Sequence, residues 1–116
     1  MQTVDEALLK LQKSKFRSSF KLDDKDRAYI EKKGLDVIKS HARDFISQRL
    51  APAYPENDGK QTPMKGHPVF KAMHGTGCCC RGCLQKWYKV SPGRALTESE
   101  QERLVKLIMT WIERQL

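Results

Sequence analysis

Four stretches of the chain place apolar residues at helical spacing. Val4, Leu8 and Leu11 line one side of a short segment opened by Thr3 and Glu6, the two ends of a capping box. A second entry follows at Asp23, with Asp26 three residues on, and Gly34 interrupts it. Leu35, Ile38, Ala42, Phe45, Ile46 and Leu50 then recur at the same period until Pro52 ends the run. Residues 68–74 allow two helical turns with Pro68 near the start, and Gly75-Thr76-Gly77 lets the backbone reverse. Residues 81–88 predict a further helix with Leu84 and Trp87 facing inward. Thr97-Glu98-Ser99-Glu100 opens the last one, lined by Leu104, Leu107, Ile108, Trp111 and Ile112. No segment alternates as a strand would, and no internal repeat or coiled-coil heptad is present. The pattern predicts a mainly α fold: a compact small helical domain with a Cys/His-rich central loop.

The non-periodic parts are equally informative. Residues 1–20 read as a peripheral N-terminal arm, because Lys10, Lys13, Lys15 and Arg17 interleave with Phe16 and Phe20. Those two rings either contact a nucleic acid or anchor an extended segment to the core. Residues 51–68 contain four of the five prolines and two glycines, which predicts an ordered irregular loop with a turn at Asn57-Asp58-Gly59. His41 falls near an apolar stripe, where a hydrogen-bonded boundary residue is the expected role.

Length and charge narrow the class. A chain of 116 residues fits one domain, residues 1–116, able to fold without covalent staples. The formal charge is +8, and residues 51–94 hold seven basic and two acidic side chains. That local excess would attract a phosphate-bearing partner such as DNA or RNA. No apolar run approaches the roughly 18–20 residues of a membrane span. The first residues lack a signal peptide's apolar core, so the expected location is cytoplasmic, without a membrane partner.

Chemistry concentrates between His67 and Cys83, where all four cysteines and two of the three histidines fall within 17 residues. Thiolate and imidazole are the ligands of tetrahedral zinc sites, and Cys80-Arg81-Gly82-Cys83 has the C-x2-C spacing. The candidate ligands are His67, His74, Cys79, Cys80 and Cys83, with Cys78 the bystander. Spacing selects no four of them, and it leaves open a closed structural site or an open catalytic one. A redox pair at Cys80 and Cys83, or a tight turn without metal in which His67 merely caps or packs, are the other readings. No phosphate-binding glycine loop, nucleophile elbow or H-E-x-x-H motif is present.

Several blocks are distinctive: Ala51-Pro52-Ala53, Asn57 to Met64, Gly66 to Phe70, Cys79 to Leu84, Lys86-Trp87, and Met109 to Ile112. With them the chain resembles a bacterial family grouped as domain of unknown function 4186, over nearly all residues after about position 15. The resemblance implies a histidine after the tryptophan, where this chain has Tyr88, and that departure weakens a catalytic reading. It implies no particular activity.

These readings combine into a zinc-stabilised domain that binds nucleic acid or another phosphate-rich partner. Lys60, Lys65, Lys71, Arg81, Lys86, Lys89 and Arg94 are the expected phosphate contacts, and Trp87 the stacking ring. One alternative is a zinc-dependent hydrolase or nuclease, with His67, His74 and Cys83 as ligands and Asp58 as proton acceptor. The other is a metal-stabilised protein-interaction module.

Overall fold

A computed structural model describes residues 2–56 and 59–116; the turn expected at Asn57-Asp58 lies outside the described residues. The helices are α1 (Val4–Gln12), α2 (Lys15–Ser18), α3 (Asp24–Lys33), α4 (Leu35–Phe45), α5 (Pro68–Gly75), α6 (Arg81–Tyr88) and α7 (Glu98–Gln115), with a π-helical turn at Ile46–Leu50 after α4. Among the described residues there is no strand. Thr3 with Glu6, Asp23 with Asp26 and Thr97 with Glu100 each form a complete capping box, which satisfies backbone donors that a helix start leaves unpaired.

The 18-residue α7 is the central element and packs against α1, α4, α5 and the π turn. Its stripe buries Leu104, Val105, Leu107, Ile108, Met109, Trp111 and Ile112. Burying such a side chain is worth about 1.5–3 kcal/mol. Trp111 lies against Gly75 at the end of α5, where a Cβ would fall 2.9 Å from the indole. That close approach requires glycine.

The π turn keeps Ile46 and Leu50 fully buried, and its closing bond runs from the Ala51 amide to the Ile46 carbonyl at 2.8 Å. The sequence pattern predicts an ordinary helix there, and the one-residue widening is not visible in it. Gly34 ends α3 and begins α4 at φ +87, a conformation that side chains disfavour.

The N-terminal segment is not a peripheral arm. Ala7, Leu8 and Leu11 are buried in the common core, α1 packs on α7 and α2 on α5. Neither is it extended, since Ser14 caps α2 through the Arg17 amide. Phe20 stacks on His74 at 5.3 Å between centroids, whereas Phe16 stays about half exposed against the edge of Phe20. Arg114 pairs with Asp5, the Leu22 amide donates to Gln115 Oε1 at 3.3 Å, and Arg27 donates to the Gln115 carbonyl at 3.1 Å. The first 27 residues are thereby tied to the end of α7. The radius of gyration is 13.2 Å, close to the ~13 Å of a globule this size. Among the described residues no helix is long and apolar enough to cross a membrane.

Candidate metal centre

The loop from Gly77 to Cys80 leads into α6, and that passage assembles the site. Cys80 is the N-cap of α6, and its sulfur accepts the Cys83 amide at 3.3 Å. The helix start therefore points a backbone donor at a sulfur, as metal-bound thiolates require of their surroundings. Cys79 precedes the cap and Cys83 lies in the first turn, with their sulfurs 3.4 Å apart. The Cys79, Cys80 and Cys83 sulfurs all lie within 4.8 Å of one another. Cys79 is buried, while Cys80 and Cys83 are half-buried and reach solvent. Adjacent residues ordinarily point apart. Here Cys79 and Cys80 nonetheless bring their sulfurs within 4.8 Å of each other, where the extended Cys80, φ −159 and ψ 168, passes into the helix.

A buried cation from a distant helix completes the arrangement. Arg17 Nη2 donates to Cys83 Sγ at 3.1 Å and Nη1 to Cys79 Sγ at 3.5 Å. Nη1 also donates to the His74 carbonyl at 2.7 Å, which fixes the guanidinium against the end of α5. The thiols respond as a coupled pair. Cys79 is lowered to about 7, first by the hydrogen bond from Cys83 and, against burial, by the bond from Arg17. Cys83 is pushed up by the same shared hydrogen bond and by burial. Cys79 is thus the sulfur of the pair that ionises first, beside Arg17. Cys78 is different: fully enclosed, it is driven to about 12 by burial, and its sulfur faces the Thr76 carbonyl.

The two expected histidine ligands do not join the three sulfurs. His67 is the N-cap of α5, and its Nδ1 accepts the Val69 amide at 3.0 Å. Its Nε2 must then carry the proton and donate to His41 Nδ1, 3.0 Å away. The ring packs among Tyr29, Phe45 and Phe70. Burial, then the neighbouring His41, lower its pKa to about 4, so it is neutral at pH 7. The cap role won because the Val69 amide needs an acceptor where the helix begins. His74 is buried under Phe20 and its Nε2–H is shared between the Thr62 and Pro63 carbonyls, each at 3.1 Å. The set His67, His74 and Cys83 that a hydrolase reading needs is therefore not gathered, and Asp58 lies outside the described residues.

The expected phosphate contacts divide in two. Lys60, Lys65, Lys86 and Lys89 are exposed. Arg81 is not: it is 1% exposed and donates to the carbonyls of Leu50, Pro52, Ser91 and Arg94. Four carbonyls of a proline- and glycine-interrupted chain have no helix to satisfy them, and the guanidinium does so from inside. Lys71 pairs with Asp23 and Asp26, and Arg94 with Glu100 through two bonds. Trp87 is half-buried with Lys86 and Arg17 near its ring, and among the described residues the most exposed aromatic is instead Tyr54 at 84%, followed by Phe16.

A profile described as Domain of unknown function (DUF4186) matches residues 5–113, which include every helix that builds the thiol centre. The chain belongs to this family. No solved structure matches it. Within this DUF4186 domain, sequence reasoning located the three cysteines and missed Arg17. The 57 to 66 residues between Arg17 and its partners leave no local signal, and Lys10, Lys13 and Lys15 look equivalent to it in the sequence.

Proposed function

We propose that this is a zinc-stabilised domain in which Cys79, Cys80 and Cys83 hold the metal and fix the surface that binds a phosphate-rich partner, DNA or RNA. The observation that supports the metal is the convergence of three sulfurs within 4.8 Å beside a buried guanidinium. An all-thiolate set is soft and suits zinc or monovalent copper. Charge favours zinc. Three thiolates and one divalent ion sum to −1, which Arg17 neutralises, whereas a monovalent ion leaves −1 over. The fourth position then belongs to a neutral donor. A water can fill it, because Cys80 and Cys83 reach solvent. His74 Nδ1, the ring nitrogen without the proton, can fill it only after the ring moves, since His74 is not gathered with the three sulfurs.

The partner reading is supported by the +8 formal charge and by four exposed lysines, Lys60, Lys65, Lys86 and Lys89. Tyr54 replaces Trp87 as the ring available for stacking.

Two measurements test this reading. Elemental analysis of protein purified without added metal should find about one zinc per chain, and replacing Cys79, Cys80 or Cys83 with Ser should abolish it while Cys78→Ser does not. Absence of zinc with all thiols freely reactive refutes the metal site. Fluorescence anisotropy should give affinity falling with salt at a log–log slope of about −3 on single-stranded RNA and about −3.6 on duplex DNA for four lysine contacts. Zinc without salt-dependent binding overturns the nucleic-acid assignment and favours a protein-interaction module.

A further inference from the structure

We propose that Cys79 and Cys83 close into a reversible disulfide when a hydroperoxide reaches the centre, making the thiol cluster a site of oxidative modification. The disulfide itself stands on the thiol geometry; the accompanying release of metal rests on the zinc reading above.

Three pairings of the three sulfurs are available, and the structure distinguishes them. Cys79 and Cys83 lie 3.4 Å apart, so a bond of about 2.0 Å forms on a small approach of the two side chains. One guanidinium donates to both of these sulfurs, through separate nitrogens, and holds them side by side. Cys80 stands outside that bridge, its sulfur engaged by the Cys83 amide as the helix cap. Cys80 is also within 4.8 Å, but the 3.4 Å contact and the shared guanidinium favour Cys79–Cys83 over the C-x2-C pair that spacing suggests.

Burial sets the order of events. Cys83 is half-buried and meets the oxidant, while Cys79 is buried behind it. Cys83 passes its proton to Cys79 across their 3.4 Å contact, its sulfur attacks one peroxide oxygen, the O–O bond breaks, and Cys83 becomes a sulfenic acid as water or an alcohol leaves. The Cys79 sulfur then attacks the Cys83 sulfur, the S–O bond breaks, and a second water leaves with the remaining protons. Two thiols are oxidised by two electrons in total, and one peroxide is reduced by the same two. Resolution by a buried neighbour outcompetes further oxidation of Cys83, because the second sulfur is already in contact. Formation of the bond removes two of the three thiolates from the metal, and a single remaining sulfur at Cys80 does not retain it.

The full chain as purified, its zinc content measured, is treated with hydrogen peroxide and then with an alkylating reagent. Cleavage after Arg81 separates Cys83 from Cys78, Cys79 and Cys80, and fragmentation of the cross-linked peptides assigns the bond. The expected product has lost two hydrogen atoms, joins Cys79 to Cys83, leaves Cys78 and Cys80 alkylated, and reverts with a thiol reductant. Cys80→Ser should still form it. Cys79→Ser should instead accumulate a sulfenic acid at Cys83 that a dimedone probe traps. A Cys80–Cys83 cross-link, an intermolecular one, or sulfinic acid at Cys83 in the unsubstituted chain overturns the proposal. A colour-forming chelator reads the metal separately. Disulfide formation in a chain that holds no zinc upholds this inference and defeats the zinc reading, and zinc that stays bound after the disulfide has formed defeats the release step.

Discussion

Replacement of Arg81 by Met removes a buried cation that ties residues 50–52 to residues 91–94. Its side chain is 1% exposed, with Nη1 donating to the carbonyls of Leu50 and Pro52 at 3.3 and 2.9 Å. Nη2 donates to those of Ser91 and Arg94 at 2.9 and 2.8 Å. Three of the four bonds are short, and hydrogen bonds to a charged group are worth about 1.5–3 kcal/mol each. They share a single charge whose desolvation offsets part of the gain, so they do not add. Breaking a buried charged arrangement costs about 3–5 kcal/mol. Met occupies similar volume, which keeps the cavity contribution small and leaves the stranded carbonyls as the main loss. Arg81→Met should therefore lose about 4 kcal/mol, a large share of the ~5–15 kcal/mol that a domain has, and melt about 15 °C lower. Arg81→Lys keeps the charge and reaches fewer carbonyls, so about half that loss is expected. Urea unfolding followed by far-ultraviolet circular dichroism, in buffer with excess zinc so that metal loss does not contribute, measures both. A Met variant within about 1 kcal/mol of the parent would refute the assignment of Arg81 as a buried tie.

Three other outcomes follow from contacts already described. His67 is neutral in the fold down to about pH 4 but takes a proton near 6.5 when unfolded, so stability is full above 6.5 and falls as pH drops toward 4. Its side chain is only partly buried, and after allowance for solvent screening the loss is about 1–2 kcal/mol; His67→Asn, which can still cap α5, should show a shallower fall in urea midpoint between pH 7 and 4.5, and an equal slope counts against it. Gly75→Ala places a methyl 2.9 Å from the Trp111 indole and should cost about 1–3 kcal/mol by thermal denaturation, with a quenched or shifted tryptophan emission. Arg17→Lys keeps a cation near the thiols but cannot bridge Cys79 and Cys83 with two nitrogens, so zinc affinity by chelator competition should fall about 10-fold; unchanged affinity would show that the bridge does not support the metal.

The legible parts of the fold are those whose causes lie within a few residues. A cap and its partner are three positions apart, so Thr3 with Glu6 and Thr97 with Glu100 announce their helices in the sequence. The α7 stripe is equally local, because helical period alone decides which face is buried. Arg17 and Arg81 behave differently. Each is one of 22 basic residues in a chain that exposes most of them, and each became internal because backbone carbonyls and sulfurs from distant segments needed a donor. Histidine misled for a related reason. His67 stands near the cysteines in sequence, but its nitrogens were already committed to the Val69 amide and to His41. Density of ligating residue types located the site, and competition for their lone pairs decided its membership.

The position of α7 also dictates the order of folding during synthesis. A chain emerges N-terminus first at about 5–20 residues per second. The helices that bury against Leu104, Ile108, Trp111 and Ile112 all leave the ribosome before their partner does. Until then α1, α4 and α5 present their apolar faces to solvent or to chaperones, and a nascent chain halted at Arg94 lacks the whole surface that closes over Gly75. The thiol loop, by contrast, precedes α7, as do α2, which carries Arg17, and α5, on which Arg17 is fixed. On the zinc reading proposed above, metal capture can therefore begin on the ribosome, ahead of the hydrophobic closure that makes the domain cooperative.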